Sequence, residues 1–310
     1  MTSLTKPLAA LALSAFVLSA CGDSSDPAQP NVVQKAQATP DLSILVEAVV
    51  AADLATTLSG PGPFTVFAPT NAAFAALLEE LQLTKAQLLA DKPLLTAVLT
   101  YHVLDAKVLK AQVPAGKAIT TRQGGIFKID AAGAALTITD GRNRTAGITA
   151  TDIQVANGVV HLIDRVILPA DKNIVETAQA LPDFSILVEA VVAAELTSTL
   201  SSPGPFTVFA PTNAAFAALL EELQVTKEAL LADKALLTAV LTYHVLPARA
   251  LKADVVPGVQ PATVQGGTFS ISAALDITDA RMRMSAIAAT DVLASNGVIH
   301  VIDKVILPAP

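Results

Sequence analysis

The chain of 310 residues contains one cysteine, Cys21, and no tryptophan. A single thiol excludes an intramolecular disulfide framework and any Cys-rich zinc or iron–sulfur site. Aromatic residues make up 4% of the chain and charged residues 15%, with 20 basic against 27 acidic side chains and a formal charge of −7. No nucleic-acid partner is expected, because no block of Lys or Arg is present and few rings are available for base stacking. The N-terminal apolar run, Leu8 to Ala20, is too short to span a bilayer. Its thirteen residues extend roughly 20 Å as a helix, against a hydrocarbon core of about 30 Å. What is abundant is apolar content, 52% of residues, which excludes a chain that is disordered overall. The length suggests about two domains of roughly 100–200 residues each.

Lys6 is the only charged side chain before Asp23, and the apolar run comes directly after it. Residues 1–20 therefore read as a secretory signal peptide. The segment Leu18-Ser19-Ala20-Cys21-Gly22 resembles a bacterial lipobox. That resemblance implies lipidation of the Cys21 thiol and cleavage before it, with the membrane reached through an N-terminal lipid anchor. Residues 21–30 then form a flexible tether. The expected location is the cell envelope, at the outer membrane or cell surface, with the periplasmic side also open.

Internal repetition dominates the remainder. TVFAPTNAAFAALLEELQ occurs at 65–82 and again at 207–224, and 40 of the 44 residues in 61–104 recur in 203–246. After Gly125 and Gly267 a three-residue deletion shifts the offset from 142 to 139, so that NGVVHLIDRVILP at 157–169 matches NGVIHVIDKVILP at 296–308. Each copy is too long for a solenoid repeat and suits an independent domain. The expected domains are 31–169 and 173–308, and a linker of only Ala170, Asp171 and Lys172 should hold them in contact.

Within each copy helices precede strands. Asp41 and Asp183 are expected N-caps, with apolar residues at helical spacing after them. FTVF at 64–67 reads as a strand ended by Pro69, with Thr70 or Asn71 capping a helix that carries Phe74, Leu77 and Leu78. Short β-branched runs then cover 117–121, 126–130, 135–139, 145–150, 153–156 and 159–168. Asn157-Gly158 and Asn296-Gly297 suggest type I′ hairpin turns. The fold class implied is α+β, with a mainly antiparallel sheet.

Three segments carry a resemblance to the fasciclin-like domain. They are FTVFAPTNAAF at 64–74 and 206–216, the pairs Tyr101-His102 and Tyr243-His244, and the NGVVHLIDRVILP segment with its partner. The resemblance implies two tandem wedges of β-strands packed with helices. It also implies non-catalytic adhesion, with a cell-surface or matrix protein or a polysaccharide as partner. By the same resemblance, Tyr101, His102, Tyr243 and His244 are candidate binding residues. Carriage of a hydrophobic small molecule or lipid is the alternative function.

The residues themselves show no catalytic set and imply no cofactor. His102, His161, His244 and His300 occupy matched positions, but no HExxH helix, His-x-His strand or acidic cluster completes a metal site. The simpler reading is that each imidazole makes a buried hydrogen bond. His161 and Asp164 lie three apart on a strand, hence on opposite faces, and no G-x-S-x-G elbow supplies a serine. The tyrosines end apolar helical patterns and are expected inside, with their hydroxyls bonded. Gly124-Gly125 and Gly266-Gly267 read as turns. Arg142, Arg144, Arg281 and Arg283 are expected in solvated loops, with contact to an acidic polysaccharide as a further option. Asn143 matches a glycosylation sequon that a bacterial lipoprotein would leave unused.

Overall fold

The computed structural model describes residues 29–310. The expected signal peptide, Cys21 and most of the expected tether lie outside the described residues. The first repeat begins with α1 (Val32–Gln37), α2 (Ser43–Ala51) and α3 (Ala55–Ser59), then β1 (Phe64–Pro69). Helices α4 (Asn71–Leu81), α5 (Lys85–Ala90) and α6 (Lys92–Tyr101) come next, then β2 (Val103–Leu104). The chain ends the repeat in β3 (Ala118–Thr120), β4 (Ile126–Ala132), β5 (Ala135–Thr139), β6 (Thr145–Val155) and β7 (Gly158–Ile163). The second repeat retraces this path through α7 (Ile174–Gln179), α8 (Ser185–Ala193), α9 (Thr197–Leu200), β8 (Phe206–Pro211), α10 (Asn213–Leu223), α11 (Lys227–Ala232), α12 (Lys234–Tyr243) and β9 (Val245–Leu246). It closes with β10 (Ser270–Ile271), β11 (Asp276–Thr278), β12 (Met284–Ala294) and β13 (Gly297–Ile302).

The sheet orders are β2-β1-β7-β6-β5-β4-β3 and β10-β11-β12-β13-β8-β9. All neighbouring pairs are antiparallel except β1 with β7 and β8 with β13, which join the first long strand of each repeat to its last. Both repeats are thus α+β with a mixed, mainly antiparallel sheet. Alternation along β1 separates two apolar cores. Phe64, Val66 and Ala68 pack with the helices, while Phe67 packs with Tyr101, Phe127, Ile129, Ile138 and Ile163. The sequence motif FTVFAP is therefore buried on both faces.

Three local expectations are corrected. Asp41 and Asp183 cap nothing with their side chains: each sits inside a short 3-10 turn. The next helix is instead capped from a distance, because the amide of Ile44 donates to Asn71 Oδ1 and that of Ile186 to Asn213 Oδ1, both at 3.0 Å. Runs 145–150 and 153–156 form one strand, β6, whose pairing with β7 shifts register around Asp152 (φ 60°). This is a bulge, which bends a strand without ending it. The β6–β7 hairpin turns at Ala156-Asn157, with Val155 opposite Gly158, and neither Asn157 nor Gly158 has the positive φ of a type I′ turn. Gly158 is required by contact: a Cβ there would lie 2.1 Å from the Phe64 carbonyl oxygen. Asn157 is held by its side chain, which accepts from Val32 N at 2.9 Å and donates to the carbonyls of Leu58 and Gly60 at 2.8 and 2.9 Å.

The repeats touch, as the short linker requires. Asn143, at the tip of the β5–β6 loop, reaches the outer edge of β12. Its Nδ2 donates to the Leu293 carbonyl at 3.0 Å and its Oδ1 accepts from Leu293 N at 2.6 Å, the pattern of one more strand residue. Lys128 Nζ lies 3.0 Å from Asp291 and 3.1 Å from Asp130, and Lys117 lies 3.8 Å from Asp254. Partial burial disfavours the Lys128 charge, but the Asp291 and Asp130 carboxylates outweigh it and raise its pKa. Ile126 packs with Leu251, Leu293 and Val298 beneath these polar contacts.

Candidate functional site

Helix α6 is amphipathic and ends at Tyr101, which delivers the Tyr101-His102 pair into the interior. Tyr101 is fully buried; its hydroxyl donates to the Ile126 carbonyl and accepts from Gly141 N at 2.8 Å. Burial raises its pKa far above the ordinary phenol value, aided by the nearby Asp140 charge. Tyr243 repeats the arrangement, donating to the Thr268 carbonyl at 2.6 Å and accepting from Ala280 N at 3.1 Å. His102 Nδ1 meets the Val98 carbonyl at 2.7 Å, and Nε2 accepts from Ile167 N at 3.1 Å. These partners fix the neutral tautomer with the proton on Nδ1. His244 does the same with Val240 and Ile306, at 2.7 and 3.1 Å. Burial lowers both histidine pKa values to about 4. All four side chains are thus turned inward. In the first repeat the chain returns to the surface just beyond the pair, in the exposed segment Asp105–Lys107.

The other histidine pair is also committed to backbone. His161 accepts from Asp152 N at 3.2 Å through Nδ1 and meets the Val108 carbonyl at 2.9 Å through Nε2. His300 repeats this with Asp291 N at 3.3 Å and the Ala250 carbonyl at 2.8 Å, and burial lowers its pKa. His102 and His161 therefore have no nitrogen left for a metal, and no group of three or more potential ligands occurs among the described residues. Asp164 accepts from Gly147 N at 2.7 Å instead of orienting His161, so the triad geometry does not form.

The arginines depart from expectation, because Arg144 and Arg283 are clamps and not solvated loop residues. Asp140 is almost completely buried. It accepts the amides of Arg142 and Arg144 at 3.0 and 2.9 Å, the Leu168 amide at 2.9 Å, and the Arg144 guanidinium at 2.7 Å. Arg144 also binds Glu80 and the Val166 carbonyl. Asp279 holds Arg281, Arg283 and Leu307 through the same amides, and Arg283 reaches Glu222. Arg142 pairs with Asp171 at 3.2 Å. The Asp140 and Asp279 roles were missed in the sequence, although D-x-R-x-R at both 140–144 and 279–283 was the available signal. The glycines at 124 and 266 are turn residues as expected, with φ near 98° and 99°.

Two apolar slots lie beside the His102 and His244 rings, between the helices and the sheet. Each holds about 30 Å³, the space of a water molecule, where ligand pockets usually offer about 300–1,000 Å³. Among the described residues no helix is long and apolar enough to cross a membrane.

Comparison with known proteins matches this fold to one family. The Fasciclin domain family model matches residues 40–169 and 182–308. Transforming growth factor-beta-induced protein ig-h3 of Oryctolagus cuniculus is 34% identical over 252 residues, 81% of this chain and 35% of that protein. Protein sll1483 of Synechocystis is 42% identical over 164 residues, covering 50% of this chain and 81% of its own. Cell surface glycolipoprotein MPB83 of Mycobacterium bovis is 36% identical over 157 residues, 48% of this chain and 64% of its own. The chain spans about a third of the length of the ig-h3 proteins it matches. With both repeats matched in full sequence order, the chain belongs to the fasciclin domain family.

Proposed function

We propose that this chain is an envelope-attached adhesion protein whose two repeats bind a cell-surface or matrix protein or polysaccharide without catalysis. The observation that carries this reading is the docking of two related repeats, nearly identical over 61–104 and 203–246, through Asn143 and Lys128. It presents two related outer faces at one spacing, which raises avidity for a repetitive partner. The cell-surface glycolipoprotein among the relatives supports the same location. The lipobox-like segment ending at Cys21 supplies the anchor in this reading, and residues 22–30 the tether. Each Tyr-His pair acts from inside, setting the course of the exposed segment beyond it, which is the part a partner touches. The water-sized slots beside His102 and His244 leave no room for a carried molecule at those two places.

Cells lacking the chain should lose attachment to matrix or neighbouring cells, and attachment that is unchanged overturns the adhesion role. Labelled palmitate should enter the wild-type chain and not Cys21→Ser. Incorporation that persists in the variant removes the anchor from the proposal while leaving adhesion open.

A further inference from the structure

The junction between the repeats holds a cleft of about 450 Å³, partly open to solvent and within the usual size range of a small-molecule pocket. The β5–β6 loop of repeat 1, the linker, the end of α7 and the edge of β12 line it. Most of its polar groups are already taken. Asn143 gives both ends of its amide to Leu293. Thr177 donates its hydroxyl proton to the Asn173 carbonyl at 2.7 Å. What remains is mainly positive. Asp171, the one acid in the lining, pairs with Arg142 at 3.2 Å, and Lys172 is exposed with no ion pair among the described residues.

Arg142 is incompletely satisfied. Its Nε is buried and has no acceptor among the described residues. Its ion pair with Asp171 joins side chains that are 31% and 49% exposed. The counterpart in repeat 2 differs: Arg281 Nε donates to the Pro308 carbonyl at 3.0 Å. An exposed ion pair holds its partners weakly, whereas a buried donor without an acceptor is costly. A small turn of the Arg142 side chain toward the cleft lets one carboxylate accept from both Nε and Nη2, the parallel two-bond geometry that a guanidinium favours. Little is lost in that turn, and a missing acceptor is supplied.

The rest of the lining is apolar, chiefly Ala180, Leu181 and Val292. Leu181 is 39% exposed and stands where repeat 1 has Thr39. A large apolar side chain left in contact with solvent, in the same cleft as an under-satisfied cation, matches a ligand with an anionic head and an apolar body. A sugar, with hydroxyls all round its ring, finds few polar partners there. We propose that the cleft between the repeats binds a small organic carboxylate with an apolar body, its carboxylate on Arg142 and Lys172 and its hydrocarbon against Leu181 and Val292. This site does not depend on the adhesion reading.

Equilibrium dialysis of labelled hexanoate against the full chain in mild detergent, with a detergent-only blank, tests the proposal. The expected result is saturable uptake of one hexanoate per chain. Hexan-1-ol keeps the body without the charge and glucuronate the charge without the body, and each should bind at least tenfold more weakly. Arg142→Gln and Leu181→Asp should each raise the hexanoate dissociation constant at least tenfold, with an unchanged circular dichroism spectrum. Arg281→Gln, at the counterpart position outside the cleft, should keep the parent affinity. Uptake that never saturates, an affinity that survives Arg142→Gln or Leu181→Asp, or glucuronate binding as tightly as hexanoate overturns it.

Discussion

His102 Nε2 accepts the amide of Ile167 at 3.1 Å, and a protonated ring cannot make this bond. Burial holds the His102 pKa near 4, below its ordinary 6.5, and His244 matches it. Between those values the unfolded chain binds more protons than the folded one, so stability is complete above pH 6.5 and falls as the pH drops toward 4. Each ring contributes on the order of 3 kcal/mol, at about 1.36 kcal/mol per pKa unit. Urea unfolding of the full chain between pH 7.5 and 4.5 should show this loss, and His102→Phe should flatten part of the slope. A midpoint that is flat across the window refutes the assignment.

Asp140 satisfies three amides and one guanidinium from a buried position. Asp140→Ala leaves the Arg144 guanidinium and the three amides without that acceptor, and should destabilise the first repeat by about 3–5 kcal/mol. Asp279→Ala should cost less, since Arg283 stands 3.8 Å from Asp279, beyond hydrogen-bond distance. Denaturant titrations of the two variants give the comparison; equal losses would contradict it.

Gly158 and Gly133 separate two reasons for glycine. A Cβ at 158 would collide with the Phe64 carbonyl, so Gly158→Ala should cost about 3 kcal/mol or more by prising β1 from β7. At Gly133 the φ is 61° and the space is open, so Gly133→Ala should cost only about 1 kcal/mol. Thermal melts of the two variants distinguish them.

Asn143→Ala removes both hydrogen bonds to Leu293 and should loosen the junction by about 1–3 kcal/mol while leaving each repeat folded. Limited proteolysis should then cut the Ala170–Lys172 linker faster. Unchanged cleavage would show that the Lys128–Asp291 pair and the Ile126 cluster suffice.

The repeat, the helices-then-strands order and the inward Phe, Tyr and His residues were legible because each is written locally, as periodicity or as matched positions. The caps were not. Asp41 has the right residue type beside the helix, but Asn71 reaches the Ile44 amide from across the fold. The Asn-Gly signal marked a real hairpin and the wrong turn, because Asn157 serves three distant backbone groups and Gly158 makes room for Phe64. Arg144 looked like a loop charge because the repeated D-x-R-x-R spacing hints at a local pair but does not announce that Asp140 is buried under Leu168. Asn143 looked like an idle sequon and proved to be a strand residue for its neighbour.

Because β1 lies parallel to β7 and β8 to β13, a repeat cannot close its sheet until its last strand has arrived. Each repeat is therefore clasped at its middle by segments from its two halves, and residues up to Ile163 or Ile302 must be in place before the strands on either side become one continuous sheet.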